Sequence, residues 1–244
     1  MNAAPSTAKL QLRLVPVTPL RQNCSLLWDD DTKHAVLVDP GGDIDVLLEA
    51  LTHFGLTLKR IWLTHGHADH AGAAAELRER TGIPVEGPHR DDQFWLDQIE
   101  ESGLRYGLRA ARNITPDRYF EDGETLEFEG AAFGVAHTPG HTPGHVVIHN
   151  KDLKIAFVGD VLFAGSIGRT DFPRSNHADL IRSITGKLWP LGEDVTFIPG
   201  HGQPSTFGQE RQTNPFVADR LTGYAGAPPE PPNTSDQRSA KRFA

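Results

Sequence analysis

The chain has 244 residues, 24 basic against 32 acidic side chains, a formal net charge of −8 and a single cysteine, Cys24. This length suits one large domain whose core needs no staples, and one cysteine excludes a disulfide framework. A hydrophobic share of 38% excludes a disordered acidic chain, and the negative charge argues against binding a phosphate backbone.

No apolar run reaches about 18 residues, so no membrane span is expected. Met1 to Lys9 lack the apolar core of a secretion signal, and a cytoplasmic protein is expected. In chain order, apolar runs predict strands over Leu10–Val17, Asn23–Asp29 and His34–Asp39. The turn Asp29-Asp30-Asp31 joins the last two as a hairpin. Ile44, Leu47, Leu48 and Leu51 lie at helical spacing over Ile44–Phe54, with Asp43 as candidate N-cap and Gly55 as stop. A short strand is expected at Arg60–Leu63, a helix at Ala71–Arg80 and another at Asp91–Ser102. Strands return at Thr125–Phe128, Ala132–Ala136, Val146–His149 and Lys154–Val158. His177–Leu188 carries Leu180, Ile181, Ile184 and Leu188 on one helical face, and Val195–Ile198 is the last strand. This order implies an α/β protein in two similar halves, with sheets inside and helices outside. Residues 10–225 form the expected domain, and the Pro-rich residues 226–244 an expected disordered tail.

The densest chemistry is Thr64-His65-Gly66-His67-Ala68-Asp69-His70, between a strand and a helix. In extended chain His65 and His67 project to one side. Asp69 and His70 follow as the chain turns. With 12 histidines in the chain, H-x-H-x-D-H arises by chance in about one shuffled sequence in four hundred. Four such groups crowded together without an ion would repel or desolvate one another. Imidazole nitrogen and carboxylate oxygen are ligands for zinc and similar ions. Three further ligand types each stand just past a strand beside small residues: His141 in Pro139-Gly140-His141, Asp160 in Gly159-Asp160, and His201 in Gly200-His201. Seven ligands are enough for two divalent ions, and a carboxylate with two oxygens makes Asp160 the natural bridge.

The pattern T-H-x-H-x-D-H, then P-G-H, G-D and G-H, resembles the metallo-β-lactamase superfamily. Within it, TPGHTPGH and GDVLF resemble the glyoxalase II (hydroxyacylglutathione hydrolase) branch, and GRTDFPRSNH, FIPGHG and NPF resemble its short bacterial members of the YcbL type. The resemblance covers roughly residues 10–218. It implies a four-layer αβ/βα sandwich with the metals at one edge. Carried over by motif, His65, His67 and His141 would hold one ion, Asp69, His70 and His201 the second, and Asp160 would bridge. Zinc is the first expectation, with iron or manganese as alternatives. Hydroxide shared by two ions would hydrolyse a small-molecule thioester, S-D-lactoylglutathione or a relative, to D-lactate and glutathione. Asp69 and Asp160 are the candidate catalytic carboxylates, Asp69 orienting the hydroxide.

Longer members of the branch add a helical glutathione-binding domain, which is not expected here, where a Pro-rich stretch follows the expected domain, and Gln203 stands where they carry a tyrosine. Arg169 falls at their substrate-binding lysine. It reads either as a fork for a substrate carboxylate or as an ion-pair partner of Asp171. Phe172 is expected to line the cleft. His145 reads as a partner behind the ligands or as a structural histidine, and His137 as structural. His34, His53, His89, His149 and His177 lack ligand spacing. Trp28, Trp62, Trp95 and Trp189 read as core, Cys24 as buried, and Asp39 to Gly42 as a turn near the site. Two alternatives remain: a persulfide dioxygenase with one iron on His65, His141 and Asp160, and a non-catalytic metal-binding scaffold. β-Lactamase activity is a third.

Overall fold

Alternation of side chains across each strand sends one set inward and one outward, and in central strands such as β3 (His34–Val38) and β9 (Ile155–Gly159) both sets are apolar, whereas β1 (Leu10–Val17) and β6 (Thr125–Phe128) alternate apolar with polar. In the computed structural model, which describes residues 9–224, the first half contains β1 (Leu10–Val17), β2 (Gln22–Asp29), β3 (His34–Val38), α1 (Ile44–His53), β4 (Thr57–Trp62), α2 (Ala68–Ala71), α3 (Ala74–Thr81) and β5 (Val85–Glu86). Its strands pair in the order β1-β2-β3-β4-β5, the first three antiparallel and the last three parallel. Short helices α4 (Gln93–Leu96) and α5 (Ile99–Arg105) lead to the second half. There follow β6 (Thr125–Phe128), β7 (Ala131–His137), β8 (Val146–Asn150), β9 (Ile155–Gly159), the ribbon β10 (Leu162–Phe163) and β11 (Ser166–Ile167), and α6 (His177–Ser183). Then come β12 (Thr196–Pro199), β13 (Ser205–Thr206), α7 (Phe207–Thr213) and α8 (Asp219–Thr222). The second sheet has the order β13-β12-β9-β8-β7-β6, with β9 and β12 parallel.

Three apolar cores separate four layers. On β3, Ala35 and Leu37 face the helix side with Leu47, Leu51 and Leu77, while Val36 and Val38 face the other sheet. Phe133, Val135, Ile148 and Phe157 meet them across the sandwich, with Trp62 between. On the far face Val147, Ala156, Val158 and Phe197 pack on Leu180, Ile184 and Leu188. Trp62 is fully buried and donates Nε1–H to Glu86 Oε2 at 3.0 Å, so its polar end is satisfied. Each such buried side chain contributes about 1.5–3 kcal/mol. The αβ/βα sandwich expected from the sequence is the observed architecture.

Several local expectations need correction. Asp43 does not cap α1 with its side chain; it is left-handed at φ 47°, and its Oδ2 accepts Thr18 N–H at 2.7 Å. The β1–β2 turn leaves that amide without a ladder partner, and it takes the carboxylate. The helix expected over Ala71–Arg80 is interrupted after Ala71, where Ala73 N–H donates to Pro40 O at 3.0 Å. Asp91–Ser102 is not one helix but a 3₁₀ turn at Arg90–Asp92 followed by α4 and α5. His177–Leu188 is α-helical only to Ser183 and widens to a π turn over Ile184–Leu188. The tail residues 226–244 lie outside the described residues. Among the described residues no helix is long and apolar enough to cross a membrane.

His149 on β8 supplies a test of the second sheet. Burial, then the charge on Lys151, lowers its pKa to about 4. The folded state therefore resists a proton that the unfolded chain takes near pH 6.5. Stability contributed by neutral His149 is present above about pH 6.5 and is lost as pH falls toward about 4. The loss is on the order of 1–2 kcal/mol once partial exposure is allowed for. Urea unfolding at pH 7 and pH 4.5 should show a smaller acid loss in His149→Gln than in the parent. Equal losses would contradict this.

Candidate metal centre

Four separate segments reach the same edge of the sandwich. The chain leaves β4 through Thr64, His65 and Gly66 and enters α2 with His67 as its N-cap residue, which puts Asp69 and His70 in the first helical turn. His141 lies between β7 and β8, Asp160 directly follows β9, and His201 follows β12. Parallel β9 and β12 end side by side, with Pro199 paired to Gly159.

His65, His67 and His141 point ring nitrogens at a common centre. His67 Nδ1 is 3.2 Å from His65 Nε2 and 3.0 Å from His141 Nε2. Tetrahedral coordination at a zinc–nitrogen distance of about 2.0–2.1 Å would separate such nitrogens by about 3.3 Å. The outer nitrogens fix the tautomers. His141 Nδ1–H donates to Arg169 O at 2.8 Å. Thr64 Oγ1 gives its proton to Asp39 Oδ2 at 2.6 Å and so accepts from His65 Nδ1–H at 3.1 Å. Both inward Nε2 atoms therefore carry lone pairs.

Asp69, His70 and His201 form the second group, with His201 Nε2 3.1 Å and His70 Nε2 3.9 Å from Asp69 Oδ2. Asp160 stands between the groups: Oδ1 is 3.3 Å from His70 Nε2, and Oδ2 is 3.7 Å from His141 Nε2 and 3.8 Å from His201 Nε2. His70 Nε2 and Asp160 Oδ1 are buried and face each other out of line for a hydrogen bond, each without a partner among the described residues. A cation between them would satisfy both. The donor set fits divalent cations, which suit nitrogen and carboxylate oxygen.

The electrostatics divide the same way. Burial first, then neighbouring imidazoles, lowers His65 well below the usual histidine range and takes His67 to about 3; burial also lowers His141. These three are neutral and ready to donate. Burial opposes charge on His70, but Asp160 and Asp69 outweigh it and raise its pKa. Burial likewise works against Asp160, yet His70 first and then His201 hold it ionised far below the usual carboxylate range.

Three buried residues stand behind these groups. Asp39, expected only in a nearby turn, accepts from Thr64 N at 2.7 Å and from His70 Nδ1 at 2.9 Å, and so orients His70. His145, left open by the sequence, stacks on His65 at 4.6 Å, and its Nε2 accepts Asp160 N–H at 3.1 Å. Asp92, which sequence reasoning missed, accepts Gly66 N–H, Thr142 Oγ1–H and Gly144 N–H. Burial raises its carboxyl to about 6 against those hydrogen bonds. In the sequence Asp92 is one acid in a polar run, with no spacing to mark it.

The metal-side groups open onto a cleft of about 580 Å³ with Trp95, Tyr106, Phe163 and Phe172 among its walls. Trp95 is buried as expected, but it also stands edge-on to His67 at 4.6 Å, which an apolar context does not reveal. Phe172 lies 5.0 Å from the His67 ring, inside the cleft as expected. Arg169 lines the same cleft, 4.6 Å over Phe172, and is also paired to Asp171 through two hydrogen bonds of 3.0 and 2.8 Å. The ion-pair reading of Arg169 is thus the one observed. Gln203 is exposed. His137 stacks on His89 at 4.1 Å and 20°, and Asp91 lies beside them. Nearly parallel rings cannot aim in-plane lone pairs at one ion, so this cluster is structural.

Sandwich, strand-end histidines and a shared aspartate together define a metal-binding α/β hydrolase class. The model for the metallo-beta-lactamase superfamily matches residues 17–201, and the chain belongs to that superfamily. It is 45% identical over 209 residues to the hydroxyacylglutathione hydrolase GloC of Haemophilus influenzae, covering 85% of this chain and 98% of that one. Among solved structures it resembles the BLEG-1 B3 metallo-beta-lactamase (TM-score 0.78, 38% identity, 85% of this chain and 99% of the other). It also resembles TTHA1623 in a di-iron-bound form (TM-score 0.76, 35% identity, 84% and 100%).

Proposed function

We propose that this chain hydrolyses small acyl thioesters, S-D-lactoylglutathione among them, to a hydroxy acid and a free thiol. His65, His67 and His141 would hold one divalent ion, Asp69, His70 and His201 a second, and Asp160 would touch both. The observation that carries this reading is the place of Asp160, with one oxygen toward His70 and the other toward His141 and His201. The hydroxyacylglutathione hydrolase relative supports the substrate class. Zinc suits the three-histidine group; the di-iron relative keeps iron as an alternative, and manganese accepts the same donors.

Bound ions of this kind supply a nucleophile from water near neutral pH and polarise a carbonyl. Asp69 turns Oδ2 to His201, and its Oδ1 would be left to accept the proton of the attacking water. Water oxygen joins the acyl carbon, the C–S bond breaks, and the thiol leaves as thiolate; a thiol pKa of about 8.5 makes a general acid unnecessary. Trp95 and Phe172 flank the reacting centre and exclude bulk water. Arg169 can exchange Asp171 for a substrate carboxylate. A cytoplasmic location fits the buried lone Cys24.

A dioxygenase with one iron needs only His65, His141 and Asp160 and leaves four converging ligand-type residues idle. The test is a panel of acyl thioesters, a β-lactam and glutathione persulfide, offered to metal-loaded protein. Thioester hydrolysis should dominate. Arg169→Gln should raise KM for glutathione thioesters about threefold to tenfold, with kcat little changed. Thioester turnover no greater than in Asp160→Ala would reject the reading.

A further inference from the structure

Asp92 is a buried carboxylate that the proposed reaction does not use. It ends the 3₁₀ turn at Arg90–Asp92, just before the cleft-lining α4. Its Oδ2 accepts Gly66 N–H at 2.8 Å and Thr142 Oγ1–H at 2.7 Å, and its Oδ1 accepts Gly144 N–H at 2.5 Å. Gly66 lies between His65 and His67, and Thr142 follows His141. One side chain thus ties together the two loops that supply the three-histidine group, although those loops are more than 70 residues apart in the chain. The loops have little slack: Gly144 O accepts His89 N–H at 3.1 Å, and Val146 N–H donates to Thr64 O at 2.8 Å. No comparable contact runs from Asp92 to Asp69, His70 or His201 among the described residues.

We propose that Asp92 is a positioning residue that holds the His65–His67 loop against the His141 loop, and so sets cation affinity at the three-histidine group alone. The inference rests on the ligand assignment proposed above. It concerns binding rather than turnover. A carboxylate suits the task because all three partners are donors. Asparagine keeps its volume but must turn an N–H toward a donor, which leaves a buried pair of donors unsatisfied.

The experiment is Zn²⁺ titration against a chelating dye in two backgrounds. In His201→Ala the three-histidine group is the intact one; in His67→Ala it is the other. Asp92→Asn should weaken Zn²⁺ binding about 10–100-fold in the first background and less than about twofold in the second. Thr142→Val, which removes one donor and keeps the volume, should act in the same direction by about threefold to tenfold. It decides the matter if Asp92→Asn does not fold. Equal weakening in both backgrounds would make Asp92 a general support of the fold, and no weakening in the first would remove the role; either result overturns the proposal. A protein that binds Zn²⁺ as described but cleaves no thioester would end the hydrolase reading and leave this one standing.

Discussion

Asp160→Ala should lower kcat/KM for an acyl-glutathione thioester by about a thousandfold while the protein stays folded. The size follows from what is removed. Losing a single preorganised donor at a reacting centre costs about 10²–10³-fold, and Asp160 is a full charge shared by two groups of ligands. Its oxygens lie 3.3 to 3.8 Å from His70, His141 and His201. Without it, the two cations would lose the carboxylate that stands between them. The fold should survive, because Asp160 N–H still donates to His145 Nε2 and the packing of β9 does not involve the carboxylate. Steady-state kinetics with metal content and circular dichroism on the same sample check this. A loss smaller than about tenfold at full metal occupancy would contradict it.

Gly200→Ala should have the second-largest effect, although the residue binds nothing itself. A Cβ at Gly200 would lie 2.2 Å from Asp160 Oδ1 and 2.4 Å from His70 Cε1. The backbone has no room to retreat. Gly200 N–H donates to Gly159 O at 2.7 Å, and Gly200 O accepts Asn23 N–H at 2.7 Å. The side chains must yield instead, and both belong to the ligand set. Displacing reacting groups by about 1 Å can cost about 10²-fold in rate; the overpacking itself costs about 1–3 kcal/mol of stability. Activity should fall about a hundredfold or more, metal content should drop, and the melting temperature should shift by only a few degrees. A fully active, fully loaded Gly200→Ala protein would show that Asp160 and His70 need not occupy these positions.

The convergence of these side chains was legible because its motifs are local. His65 and His67 lie between β4 and α2, Asp69 and His70 in α2 itself, and His141, Asp160 and His201 each follow a strand beside glycine. The strands were legible because both faces of β3, β8 and β9 are apolar and bounded by turns. What depends on distant partners was not. Asp43 stands at the N-cap position of α1, but its carboxylate turns to Thr18, 25 residues away, instead of capping the helix. Asp92 finds its partners 26, 50 and 52 residues away, and nothing near it in sequence announces them. The interruption after Ala71 has the same origin, since the Ala73 amide there donates to Pro40 O. Trp95 illustrates a different limit: a tryptophan buried in a cleft wall and one buried in a core look alike in sequence.

The most direct test is a crystal structure of zinc-loaded protein with anomalous data collected on both sides of the zinc edge. We expect two peaks, one against His65, His67 and His141, the other against Asp69, His70 and His201, with Asp160 in contact with both. A single peak on His65, His141 and Asp160, or peaks away from these residues, would contradict a two-ion centre.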